Sequence, residues 1–197
     1  MDWNEKFSGK EYSYGTEPND FLRSVADKIK SNGEVLSLCE GEGRNSVFLA
    51  QQGFQVLGVD GSSVGLEKAK QLAEELGVVI ETQVANLADY EIEPEKWDAI
   101  VMIFGHLPKE LRKKVNAKIV KGLKKEGVFI LEGYSPKQLP LNTGGPKDIS
   151  MLYDLEEVKS ELEGLDFEIA HEIEREIIEG KGHTGHGFVV QILGRKI

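Results

Sequence analysis

The sequence predicts an α/β fold, doubly wound around a mainly parallel sheet. Three observations carry this. Short, nearly continuous apolar runs recur along 197 residues. Helical patterns separate the first of these runs. The last two strand-like stretches follow one another with no helix between them. Continuous apolar runs suit strands buried on both faces, and strand–helix alternation implies parallel pairing with right-handed crossovers. Strands joined without a helix form an antiparallel hairpin.

The elements follow in order. Pro18 to Lys30 reads as a helix, with Phe21, Leu22, Val25 and Ile29 at helical spacing. Strands are expected at Val35–Cys39, Val56–Val59, Val78–Ile80, Ala99–Ile103 and Val128–Leu131. Between them, helices are expected at Ser46–Gln52, at Ser63–Leu76 with its stop at Gly77, and at Pro108–Leu123, where proline suits the first turn. A helix at Leu155–Leu162 precedes the hairpin strands Phe167–Ile177 and Phe188–Arg195, and Glu179–Gly187 reads as the loop between them. The length suits one domain over 1–197, divided into an N-terminal lid and helix (1–33), a cofactor-binding core (34–134), and a substrate-wall loop with the C-terminal hairpin (135–197).

A net charge of −10 argues against broad nucleic-acid or anionic-membrane binding. The basic run around Arg112–Lys114, Lys118, Lys121 and Lys124–Lys125 reads as a solvated helix face. Cys39 is the single cysteine, so no internal disulfide or cysteine metal cluster is expected. His183 and His186 alone do not make a metal site, and no metal is expected. No apolar run approaches the roughly 20 residues that span a bilayer. The first residues lack a signal-peptide pattern, so a cytoplasmic location is expected. The oligomeric expectation is a monomer or homodimer.

The strongest local motif is Leu38-Cys39-Glu40-Gly41-Glu42-Gly43-Arg44-Asn45-Ser46, placed between a buried strand and a helix. Glycines permit a sharp turn and a close approach to a ligand, and ligands of this fold sit beyond the carboxyl ends of the strands. A phosphate loop would need Gly-Lys-Ser/Thr. A dinucleotide turn would need a third glycine where Ser46 stands. Glu40 would repel a pyrophosphate and suit a cationic ligand, such as the amino acid end of S-adenosylmethionine. Asp60, followed by Gly61 and Ser62, can accept bonds from ribose hydroxyls; the alternative is a helix cap. Asn86 can bond adenine with Leu87 on its face, or serve as a turn residue. Phe104 opens the loop facing the cofactor across the cleft.

These residues, with the terminal hairpin, resemble the class I S-adenosylmethionine-dependent methyltransferases over nearly the whole chain. Trp3 to Phe7, Tyr14–Asn19, Gly43–Ser46 and Gly144-Gly145-Pro146 are similar to the tellurite-resistance and thiopurine-type members. The resemblance implies seven strands in the order 3-2-1-4-5-7-6, with strand 7 antiparallel. It implies S-adenosylmethionine as cofactor and S-adenosylhomocysteine as product. Glu40, Gly41 and Gly43 would line the methionine end, Asp60 the ribose, and Asn86 and Leu87 the adenine; Glu42, Asn45, Gly61 and Ser62 are expected to bind the cofactor beside them. Asn86 departs from the aspartate common in the family.

The expected reaction is methyl transfer to a small molecule, a soft nucleophile such as a thiol or a chalcogen oxyanion, which needs little acid–base help. His183, expected in the hairpin loop, is the preferred catalytic candidate, with His106 after strand 4 as the second. Tyr14 is expected to touch the cofactor, where an aromatic face attracts a sulfonium. The loop Ser135–Ser150 is expected to wall the acceptor site, and its Gln138, Leu139, Leu141, Asn142 and Thr143 are uncharged. The alternatives are a protein or RNA methyltransferase, and an NAD(P)-dependent reductase or nucleotide-binding module.

Overall fold

The computed structural model describes residues 2–180 and 183–197. Seven strands form one sheet in the order β3-β2-β1-β4-β5-β7-β6. The strands are β1 (Glu34–Leu38), β2 (Gln55–Asp60), β3 (Glu81–Val84), β4 (Trp97–Ile103), β5 (Leu123–Tyr134), β6 (Leu165–Glu179) and β7 (His183–Lys196). The first five pair in parallel, and β7 runs antiparallel to both neighbours. This is the expected order.

Side chains alternate across each strand and so feed two cores. Leu36, Leu38, Ile100, Met102, Phe129 and Leu131 face α5 (Lys109–Gly122) and α6 (Leu155–Glu161). Val35, Ala99, Val101, Val128 and Ile130 face α2 (Asp20–Val25) and α3 (Arg44–Gln51). The helix α4 (Ser63–Glu75) packs beside α3 through Leu72, Ala73 and Val47. A short N-terminal helix, α1 (Trp3–Phe7), lies against α4. Among the described residues no helix is long and apolar enough to cross a membrane.

Several boundaries differ from expectation, each for a physical reason. The first long helix is shorter: Asn19 caps α2 by accepting the Leu22 N–H, and a 3-10 turn at Ala26–Lys28 ends it. The third strand is not Val78–Ile80. Those residues lead out of α4, with Val78 N–H on the Ala73 carbonyl and Val79 86% exposed. Pairing begins at Glu81, opposite Leu57, on a polar edge strand that apolar content does not mark. The hairpin is also longer than expected. β6 and β7 continue until Glu179 pairs with His183, so most of the expected loop is strand. Lys181 and Gly182 lie outside the described residues.

Candidate functional site

The carboxyl ends of β1, β2 and β4 converge on the turn after β1. Two non-glycine residues there hold positive φ: Cys39 at 55° and Phe104 at 52°. Such backbone strain clusters at working sites. Gly41 and Gly43 turn the chain with φ of 64° and 96°. The two glycines serve different needs. A Cβ on Gly43 would lie 2.6 Å from the Ala69 Cα, so this position lets α4 pack close. A Cβ on Gly41 would meet the Phe7 ring at 3.3 Å, because the N-terminal segment lies over the turn.

The polar side chains of the motif point mostly into the protein. The Glu40 carboxylate accepts the Ser37 hydroxyl and the Ser46 N–H (3.1 Å). Burial pushes its pKa above the usual carboxylate value, against those hydrogen bonds. Glu42 accepts the Ser13 N–H (2.7 Å) and pairs with Lys68. Asn45 accepts the Asn19 N–H (3.0 Å). In this geometry all three fasten the turn, whose residues 40–46 are buried beneath the N-terminal segment and α4. The Leu87 side chain likewise departs from expectation: it packs in the main core rather than over a cleft.

Asp60 ends β2 half-buried. One oxygen accepts the Gly41 N–H (2.9 Å) and the other the Ser62 N–H (2.7 Å). Burial raises its pKa, opposed by those N–H groups and that of Gly61. A carboxylate has about four lone-pair sites, so three backbone N–H groups leave one for a ligand hydroxyl. Ser62 caps α4 by accepting the Gly65 N–H (3.0 Å) and donates to Asn4 (2.8 Å). Asn86 Oδ1 accepts the Ala88 N–H (2.9 Å), which makes it a turn residue as well as a ligand candidate. It also stands at the rim of a cavity of about 550 Å³ lined by Leu57, Ala85, Tyr90 and Trp97. That cavity exists because the β3–β4 connection carries no helix to cover the sheet.

Beside this turn stands an aromatic cluster. The His183 ring lies 4.4 Å from that of Tyr14, 4.5 Å from Phe104 and 5.4 Å from Tyr134. His183 opens β7 and is buried, and its Nδ1 has no hydrogen-bond partner. The nearest carboxylate oxygen, on Glu179, is 3.9 Å away. Burial lowers the His183 pKa below the usual histidine value, with Glu179 opposing. The imidazole is therefore neutral at neutral pH.

His106 is held differently. Its Nδ1 meets the Met151 carbonyl (2.9 Å), and its Nε2 accepts the Tyr134 N–H (3.2 Å). That pattern fixes the proton on Nδ1 and engages both nitrogens. Burial lowers its pKa to about 4. The ring ties the wall loop to β5 and has no nitrogen free to accept a proton.

Sequence reasoning missed the charged cluster behind His183. Arg44 donates to Glu179 (2.7 Å), and Arg175 pairs with Glu132 and Glu179. Asn19 Nδ2 bridges Glu132 (2.7 Å) and Glu179 (2.8 Å), while Gln191 donates to Glu132. Burial alone would raise the Glu179 carboxyl, but the Arg44 and Arg175 guanidiniums beside it outweigh that and hold the group well below the carboxylate range. The available signal was Glu132 itself, an acidic residue continuing the apolar run Val128–Leu131.

Comparison with known proteins agrees with this geometry. Residues 35–127 match the family model described as a methyltransferase domain. The chain is 24% identical over 137 residues to a 2-heptyl-1-hydroxyquinolin-4(1H)-one methyltransferase of Mycobacteroides abscessus, covering 68% of this chain and 60% of that enzyme. It is 25% identical over 176 residues to a tRNA (uracil(54)-C(5))-methyltransferase of Pyrococcus abyssi, covering 78% and 40%. The chain thus spans less than two thirds of the length of these curated relatives. Among solved structures, TehB from Haemophilus influenzae superposes with a TM-score of 0.75 at 21% identity, covering 100% of this chain and 68% of that one. Residues 35–127 thus resemble a methyltransferase domain, and the chain has the fold of the class I S-adenosylmethionine-dependent enzymes, similar to TehB.

Proposed function

We propose that this protein transfers a methyl group from S-adenosylmethionine to a small acceptor that is a soft nucleophile, a thiol or a chalcogen oxyanion. The observation that carries the reading is the aromatic cluster of Tyr14, Phe104, Tyr134 and His183, at the same end of the sheet as the Asp60 turn. When bound, the cofactor supplies an electrophilic methyl group on a sulfonium. The residues fit it: Asp60 keeps a lone pair for a ligand hydroxyl, Asn86 offers an amide near the end of β3, and Gly41 and Gly43 turn the chain sharply at the end of β1. Aromatic faces such as Tyr14 and Phe104 favour a sulfonium by roughly 0.5–2 kcal/mol each.

The chemistry asked of the chain is then modest. It must hold the acceptor in line and exclude water. Within this reading His183 Nδ1, neutral and unpartnered, accepts a hydrogen bond or a proton from the acceptor, and Glu179 stabilises the charge that results. Among the described residues no stronger base stands beside that ring, which favours an acceptor that is easily deprotonated. The net charge of −10 favours a small molecule over a nucleic acid. The likeness to a tRNA methyltransferase makes RNA the second reading.

Calorimetry with S-adenosylmethionine, S-adenosylhomocysteine and NADH tests the cofactor. Both adenosyl compounds are expected to bind, and Asp60→Ala is expected to weaken them about 10–100-fold, as losing charge-assisted hydrogen bonds worth roughly 1.5–3 kcal/mol predicts. Binding of NADH alone would replace this reading with a reductase. Methyl transfer to a panel of thiols, selenite, tellurite and tRNA then separates the acceptor classes. His183→Ala is expected to lower kcat with the true acceptor by a larger factor than it weakens the cofactor, because its ring also supports Tyr14 and Phe104.

A further inference from the structure

Lys68 stands on α4, the helix that leaves the Asp60 turn. Its side chain is only 12% exposed, and its ammonium meets four oxygens from elsewhere in the chain. Three are backbone carbonyls of the N-terminal segment: Phe7 (3.4 Å), Gly9 (3.0 Å) and Glu11 (2.8 Å). The fourth is the Glu42 carboxylate, whose other oxygen takes the Ser13 N–H. The Tyr12 ring lies 4.9 Å from the same cation.

An ammonium has three protons and no acceptor, so this one is saturated by the segment and the glycine turn. Residues 8–11 are exposed and bury no apolar side chain to hold them down. Three carbonyl oxygens converging on one point repel each other unless a cation sits there. The segment that Lys68 gathers is the one that lays Phe7 on Gly41 and Tyr14 on His183.

We propose that Lys68 is a positioning residue for methyl transfer: it clasps residues 7–14 over the glycine turn, so that the cofactor is retained and water excluded. The proposal rests on the S-adenosylmethionine reading above. The side chain acts through the lid and touches no reacting atom. It is a specific role for a cation; an apolar residue of similar length would fill the space without drawing the carbonyls together.

The test uses the full chain with Lys68→Met, Lys68→Arg and the double variant Lys68→Met with Glu42→Gln. The double variant removes the buried, unpaired carboxylate that could unfold the single one. Hydrogen exchange without ligand reads the lid, and calorimetry with S-adenosylhomocysteine reads retention. In both Met variants, residues 3–16 are expected to lose protection while α3 and α5 keep theirs. Affinity for S-adenosylhomocysteine is expected to fall tenfold or more, and Lys68→Arg to restore most of both. A lid that stays protected, or one that opens with affinity within twofold of the unaltered protein, overturns the proposal. Failure of the unaltered protein to bind S-adenosylhomocysteine overturns the cofactor reading and the proposal with it, and that result is distinguishable because it appears before any substitution.

Discussion

The two halves of the carboxyl end of the sheet are built by different means. Around β1 and β2, the site is held by short-range bonds to the backbone: Glu40 to Ser46, Asp60 to Gly41 and Ser62, Ser62 to Gly65. Around β5, β6 and β7 it is held by charges brought from far apart in the chain, with Glu132 meeting Arg175, Asn19 and Gln191. The first half is a turn stabilised by geometry. The second is a buried polar network, in which each member needs every other. A network of that kind fixes His183 in place without hydrogen-bonding its Nδ1, which is how a titratable ring is kept available in a packed interior.

The contrast can be broken from either side. The largest effect is expected at Glu132. Glu132→Ala leaves Arg175 short of a partner in a fully buried place, and the cost of unpairing a buried charge is about 3–5 kcal/mol. Urea unfolding should show that loss, and Glu132→Gln should recover part of it. The next largest is expected at the turn. Gly43→Ala places a Cβ against α4 at φ 96° and should cost about 2–4 kcal/mol. If Gly43→Ala proved clearly more costly than Glu132→Ala, the ranking of charge above geometry would fail.

The smallest effect concerns pH. The folded protein keeps His106 neutral, with its pKa lowered to about 4 by burial, whereas an unfolded histidine titrates near 6.5. The unfolded state therefore binds the extra proton first as pH falls. Stability from this group is full above about pH 6.5 and declines down to pH 4. Comparing urea midpoints at pH 7.5 and 5 for the protein and for His106→Asn should show a smaller decline in the variant. Equal declines would assign the acid sensitivity to other groups.

Much of the fold was legible because its signal is local. The runs at β1, β2, β4 and β5 are apolar on both faces, and only a central strand needs that. β3 was misplaced because an edge strand pairs on one side and tolerates Glu81 and Gln83. The hairpin strands were underestimated at their tip, Ile178–Glu179 and His183–Gly187, because the glycines and polar residues there read as loop, whereas cross-strand pairing carries both strands on. In the candidate site, the positions of Gly41, Asp60 and Asn86 followed from their place after strands. The direction of Glu40, Glu42 and Leu87 did not.

The sequence by itself determined the buried central strands, the succession of elements along the chain and the glycine turn, since these depend on burial periodicity and on backbone freedom at single residues; the order of strands across the sheet came from the family resemblance. Only the tertiary structure decided which polar groups meet. Arg44, Glu132 and Glu179 are separated by up to 135 residues, and Lys68 reaches carbonyls some 60 residues away. A side chain's type states what bonds it can make. Which bond it makes depends on what the folded chain brings within about 3 Å.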